Sequence, residues 1–327
     1  MANGYIRGRG HSTRPAGETS RALHLPLGGG IVTTGDDHVT LSVPRRPAED
    51  PDGPADWVPS NHALRECLAL QAEAPPISLV ARLFGVDPLS RRARRSYSGA
   101  LAEIALADSL DALGPEWTVL HSVPVDGVLT ARHPPRTIDH LVIGPAGIFS
   151  ITVHSHAGQA VWVGERTFMV DDERLDHLAV AEDAASAASR LLAVALAPAG
   201  ITTDVVVTPC IVIDSPVTLQ IRQRPDRIQI STARNFTASL AALPRLISPA
   251  VVSSLSAVSL RASTWSASAA VPLHDAYHRR DDFDQLRLHI ASARLRRLVW
   301  TGLGVILTYC QVISSAAGFS LLAVVHR

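Results

Sequence analysis

The sequence contains no lysine: all 30 basic residues are arginine, set against 30 aspartates and glutamates. Any mechanism that needs a lysine ammonium as nucleophile or phosphate ligand is therefore excluded. The formal net charge is +0, so overall charge selects no polyanionic partner. Cysteine is scarce too. Cys67, Cys210 and Cys310 have no paired spacing, which excludes a disulfide framework or a cysteine zinc site and suits a reducing cytosol.

Residues 1–60 lack apolar runs. They hold Gly28-Gly29-Gly30 and Pro51-Asp52-Gly53-Pro54, with too little apolar surface to offset the entropy of ordering. A disordered, low-complexity region is expected there, with at most a short strand near residues 30–43. Arg7, Arg9 and Arg14 precede no apolar run of signal-peptide length, so secretion is not expected. The length allows about two domains, but such flanks leave room for one sizeable core.

What the chain does have begins at residue 61. A helical lead-in over 61–93 is expected, with Asn61 as N-cap. Arg91-Arg92-Ala93-Arg94-Arg95 reads as a solvent-facing linker. Residues 99–113 carry Leu101, Ile104 and Leu110 at helical spacing before Gly114-Pro115 stops the run. Glu103 falls in the first turn of that helix, where a carboxylate complements the helix dipole.

The centre of the chain is residues 136–158, RTIDHLVIGPAGIFSITVHSHAG. Residues 137–143 are β-branched and apolar, Gly144-Pro145-Ala146-Gly147 is turn chemistry, and residues 148–153 alternate apolar and polar. The hairpin puts Asp139 on one strand and Thr152 and His154 on the same face of the next. His140 should face away from Asp139, which makes a conventional site of His140, His154 and His156 geometrically poor. Around the hairpin the pattern predicts a strand at 117–123, two more at 159–163 and 166–170 continuing a meander, and a helix over 178–197. A buried strand at 205–213, a short strand at 227–231 and helices at 233–243 and 248–263 follow. This is an α/β domain with a mixed sheet flanked by helices.

Residues 266–283 read as a polar linker and 284–297 as a basic helix with Arg287, Arg294, Arg296 and Arg297. Residues 298–326 contain no Asp, Glu or Arg and exceed the roughly 20 residues needed to cross a bilayer. A single transmembrane helix is expected. The arginines before it place the main domain on the cytoplasmic face of the cell membrane.

The segment Gly99-Ala100-Leu101-Ala102-Glu103, followed by Ile138-Asp139-His140 and Gly147-Ile148-Phe149, resembles the nuclease-related domain (NERD) family of the restriction-endonuclease-like PD-(D/E)xK group. The resemblance covers about residues 94–265. It implies a restriction-endonuclease-like mixed sheet, Asp139 and Glu103 as ligands of Mg²⁺ or Mn²⁺, and DNA or RNA as the partner. In place of the family's acidic or amide residue, spacer and lysine stands Thr152-Val153-His154. Thr152 offers a hydroxyl and no charge. His154, with an ordinary pKa of about 6.5, is mostly neutral at pH 7, able to act as a general base but not as a permanent cation. Asp139, Thr152 and His154 are thus the implied catalytic positions, with a degenerate motif. Two functions stay open on the sequence: a membrane-anchored, weakened or inactive metal-dependent phosphodiesterase, and a non-catalytic nucleic-acid-binding or scaffold protein at the membrane face.

Overall fold

The structure, a computed structural model, describes residues 59–125, 137–199, 205–265 and 273–325. The expectations for residues 1–58, including the short strand near 30–43, lie outside the described residues. Those described all belong to one unit, Ala48–Arg327.

The element order is α1 (Asn61–Ala72), α2 (Leu79–Leu83), α3 (Arg94–Leu110), β1 (Thr118–Pro124), β2 (Thr137–Gly144), β3 (Gly147–Ser155), β4 (Ala160–Val163), β5 (Phe168–Val170), β6 (Glu173–Leu175), α4 (His177–Leu196), β7 (Val207–Asp214), β8 (Thr218–Ile221), β9 (Gln229–Thr232), α5 (Ala233–Ala241), α6 (Pro249–Ser259), α7 (Ala262–Trp265) and α8 (Leu273–Val325). The α/β expectation is met, with two sheets in place of one. The main sheet has the order β1-β2-β3-β7-β9. Its β1/β2 and β2/β3 pairs are antiparallel, and β3/β7 and β7/β9 are parallel. The strands expected to continue the meander instead form a smaller sheet, β6-β5-β4-β8, closed by a parallel β4/β8 pair.

The turn between β2 and β3 needs both its glycines. Gly147 has φ +146°, and a Cβ on Gly144 would fall 2.1 Å from the Trp117 ring. One face of the main sheet packs on α4, α6 and α7 through Leu141, Ile143, Ile148, Ala188, Leu192 and Trp265. The other packs on α3 and α5 through Val142, Phe149, Ile151, Val153, Leu106 and Phe236. α3 begins at Arg94, not at Gly99, because arginine is a good helix former and an exposed first turn tolerates its charge. Ser60, not Asn61, is the N-cap of α1, with φ +64°.

The described residues of the segments read as a linker, a basic helix and a membrane span form one continuous helix, α8, Leu273–Val325. Arg280 and Arg287 both pair with Asp284, at i,i+4 and i,i+3, which supports a polar surface along its first turns. Phe283, Leu286 and Ile290 form a buried stripe on α8 that packs with Leu64, Tyr97 and Ile104 of α1 and α3, and Ala293, about one turn further on, is buried too. From Arg294 to Ser314 every residue is exposed. α8 is long and apolar enough to cross a membrane, and its most apolar window buries nothing against the domain.

Candidate functional site

The site is organised by a fault in the sheet. Ser122 of β1 takes φ +50°, and the Ser122/Asp139 step is missing from an otherwise continuous β1/β2 register. Residues three apart on a regular strand face opposite ways, yet Ile138 and Leu141 enter the same core cluster, as do Leu120 and Val123. Both strands therefore turn over one step at Ser122 and Asp139. Beyond it, the β2/β3 ladder ends at His140 opposite Ile151.

Asp139 fills the gap this opens. Its Oδ2 accepts the backbone N–H of Val153 at 2.7 Å, replacing the ladder bond that the turned backbone cannot make. Glu103, on the face of α3 above, is 8% exposed. Burial and the neighbouring Asp139 charge push its carboxyl well above the usual carboxylate range, and a hydrogen bond from Ser60 offsets this in part. Burial pushes Asp139 up to about 7 against the opposing pull of the Val153 N–H. Two carboxyl groups in one desolvated gap cannot both ionise cheaply, so near neutral pH they hold a proton between them.

Ser60 and its neighbour Asn61 tie this gap to three elements. The Ser60 hydroxyl reaches the Ala100 carbonyl of α3 at 3.4 Å, the Asn61 N–H donates to Ser122 Oγ at 3.1 Å, and Arg279 of α8 donates to Asn61 Oδ1 at 3.1 Å. Next to Asp139, His140 is fully buried. Its Nδ1 lies 2.8 Å from Nδ1 of His121, one ring donating and the other accepting. Burial first, and His121 second, lower its pKa to about 3.

Thr152 and His154 sit elsewhere around the same strand, β3. Val153 packs toward α3 and α5, so strand alternation turns Thr152 and His154 toward the other face. The His154 ring stacks on His177, the first residue of α4, with centroids 3.6 Å apart and planes 12° apart. His156 lies 6.0 Å from His154 and 5.6 Å from His177, and Phe168 packs edge-on to His177. Burial, then His177 and His156, lower His154 to about 3; burial and His156 lower His177 to about 4. These rings are neutral at pH 7. The Nε2 atoms of His154, His156 and His177 are buried without a hydrogen-bond partner. Among the described residues, no group of three or more His, Cys, Asp or Glu is placed to hold a metal ion.

The structure thus brings Glu103 and Asp139 together, threads Thr152 past them on the strand that supplies the Val153 N–H, and packs His154 into a histidine cluster. His177, Ser60 and the Val153 amide were not evident in the sequence, because each reaches the site from a distant or backbone position with no local pattern to mark it.

For a divalent cation the fit is one of donor chemistry. Mg²⁺ and Mn²⁺ prefer hard oxygen donors, and Mg²⁺ is satisfied by one or two carboxylates while keeping several waters. Glu103 and Asp139 are residues that would supply such oxygens, and a cation bound there would displace the proton they retain.

No curated protein and no solved structure matches the chain. Residues 98–213, from the first turns of α3 to β7, match the family model described as the nuclease-related domain, NERD, so the similarity falls on the segment that holds Glu103, Asp139, Thr152 and His154.

Proposed function

We propose that this chain is a membrane-anchored nuclease-related protein in which Glu103 and Asp139 retain a divalent-cation site while phosphodiester hydrolysis is weakened or lost. The observation that carries this reading is the placing of two neighbouring carboxyls, buried Glu103 and Val153-bound Asp139, at the sheet fault. Bound there, Mg²⁺ or Mn²⁺ would supply Lewis-acid stabilisation of a phosphodiester oxygen and a more acidic water.

The chain's own residues define the deficit. Asp139, fixed by the Val153 N–H, would present its free oxygen to the cation, and Glu103 would close the other side from α3. Thr152 brings a neutral hydroxyl where the family pattern has an acid or amide. His154 is the residue in the lysine's place, and burial against His177 keeps it uncharged. No permanent cation therefore stands at that position to stabilise the charge that builds on phosphate. As a neutral imidazole it could accept a proton from water, but only after leaving its stack. We place the domain on the cytoplasmic side of the membrane on account of Arg294, Arg296 and Arg297 ahead of the apolar run.

The neutral His154 also favours a second reading, a non-catalytic nucleic-acid-binding or scaffold protein. Purified chain assayed on plasmid, single-stranded DNA and RNA with Mg²⁺ or Mn²⁺ separates the two. Slow cleavage that disappears in Asp139→Ala supports the weakened nuclease. Cation binding by calorimetry without cleavage supports the inactive descendant, and neither binding nor cleavage removes the metal-site reading altogether.

A further inference from the structure

We propose that α2 and the residues that follow it form an in-plane membrane-contact element, seated in the headgroup layer beside the emerging α8. This rests on the reading that α8 crosses a bilayer.

The helix is five residues long, LVARL, and none of its residues is buried. Leu79 is 81% exposed and Val80 65%, and Leu83, Phe84 and Val86 are also open to solvent. A short helix whose large apolar side chains bury little of themselves has no folding reason for that composition. Its position supplies one. Trp300 Nε1 donates to the Leu83 carbonyl at 2.9 Å, Arg297 Nε donates to the Gly85 carbonyl at 3.2 Å, and the Phe84 and Trp300 rings lie 5.0 Å apart. Gly85 has φ +71°, and a Cβ there would fall 2.4 Å from the Ala293 carbonyl, so the backbone is pressed directly against α8.

The level at which α2 is held is where α8 changes character. Ala293 is the last buried residue of α8 among those described. Arg294, Arg296 and Arg297 follow, and then the exposed apolar run begins with Leu298, Val299 and Trp300. A tryptophan at the start of a span sits at headgroup depth. α2 adds the exposed Arg82, and neither residues 79–86 nor residues 285–314 contain an Asp or Glu. Apolar side chains ringed by arginines, with no acid among them, match the surface of a bilayer containing anionic lipid. With α8 as one attachment and α2 as a second beside it, the domain would be held in one orientation to the membrane and not swing on a single helix.

The test uses the full chain with Cys310→Ser, since Cys67 and Cys210 are buried. An environment-sensitive fluorophore is attached at Val80→Cys in one protein and at Val312→Cys in another, each reconstituted in phosphatidylcholine nanodiscs with phosphatidylglycerol. The expected result is blue-shifted emission at both positions, quenched by brominated lipid and protected from iodide. If position 80 is quenched by iodide and not by brominated lipid while position 312 stays lipid-quenched, the membrane-contact element is overturned and the span survives. If position 312 is also open to iodide, the span fails, and this inference with it.

Discussion

Asp139 on β2 accepts the backbone N–H of Val153 on β3 at 2.7 Å, so a side chain stands in for a rung of the sheet at the point where the two strands part. The carboxyl therefore has a structural duty as well as a chemical one, and substitutions can separate them. Asp139→Ala leaves the Val153 N–H without a partner and is expected to cost about 1–3 kcal/mol in urea unfolding. Asp139→Asn keeps an acceptor and removes the repulsion with Glu103, so its stability should be unchanged or raised. Both should abolish Mn²⁺ binding by calorimetry. If Asn binds Mn²⁺ as well as the parent does, Asp139 is not a ligand.

The same pair sets a pH dependence. The folded-state pKa values of Asp139 and Glu103 lie above those of the unfolded chain, with Asp139 at about 7. Their contribution is thus fully present below the unfolded carboxylate range, about 4, and is lost as pH rises through about 7. Asp139→Asn combined with Glu103→Gln should gain stability relative to the parent as pH rises through that window. Cation affinity of the parent should strengthen over the same range, because the cation displaces a proton. Parallel stability-pH curves for parent and double variant would contradict the shared-proton arrangement.

The histidines act in the opposite sense. Burial lowers His154 to about 3 and His177 to about 4, and His121, His140 and His156 are lowered as well. A lowered imidazole contributes stability that is present above its unfolded value, about 6.5, and lost as pH falls through the folded values. With His62, also lowered by burial first, six histidines pull this way against two carboxyls, so the chain as a whole should weaken on acidification. His177→Phe preserves the stacking surface facing His154 and removes two penalties, its own protonation and its repulsion of a charged His154. Thermal melts between about pH 7 and 5 should show a flatter acid limb for this variant.

How far the sequence carries depends on distance along the chain. The β2/β3 hairpin was legible because both strands and the Gly144-Pro145-Ala146-Gly147 turn lie within one local run. Val207–Asp214 was legible as a buried strand because it is flanked on both faces and nearly all apolar. The second sheet was not. β6 is Glu-Arg-Leu and β8 is Thr-Leu-Gln-Ile, with little alternation to mark either, and the parallel β4/β8 pair joins residues about 58 positions apart, as Ala160 to Thr218. In the site, Glu103 and Asp139 could be named from motif order, whereas the ring stacked on His154 arrives on α4 from 23 residues downstream, as His177 − His154. A fault such as Ser122 at φ +50° leaves no compositional trace, since a serine in a strand looks like any other solvent-side position.

The two halves of α8 should part under truncation. Phe283, Leu286 and Ile290 are packed into the cluster with α1 and α3, whereas residues 294–314 are exposed and meet the segment Leu83–Gly85 through Arg297 and Trp300. A chain ending at residue 297 keeps the stripe and sheds the apolar run. It should stay in the supernatant without detergent and melt near the temperature of the detergent-solubilised full chain. One ending at residue 272 uncovers Leu64, Tyr97 and Ile104 and leaves the Asn61 carbonyl without Arg279. Removing a fully buried phenylalanine alone costs about 3–5 kcal/mol, a large part of the stability of a domain this size, so the shorter chain should aggregate or unfold at ordinary temperature. Sedimentation and a thermal melt of the two chains decide it: if the chain ending at 272 melts with that ending at 297, the first half of α8 is not part of the domain core.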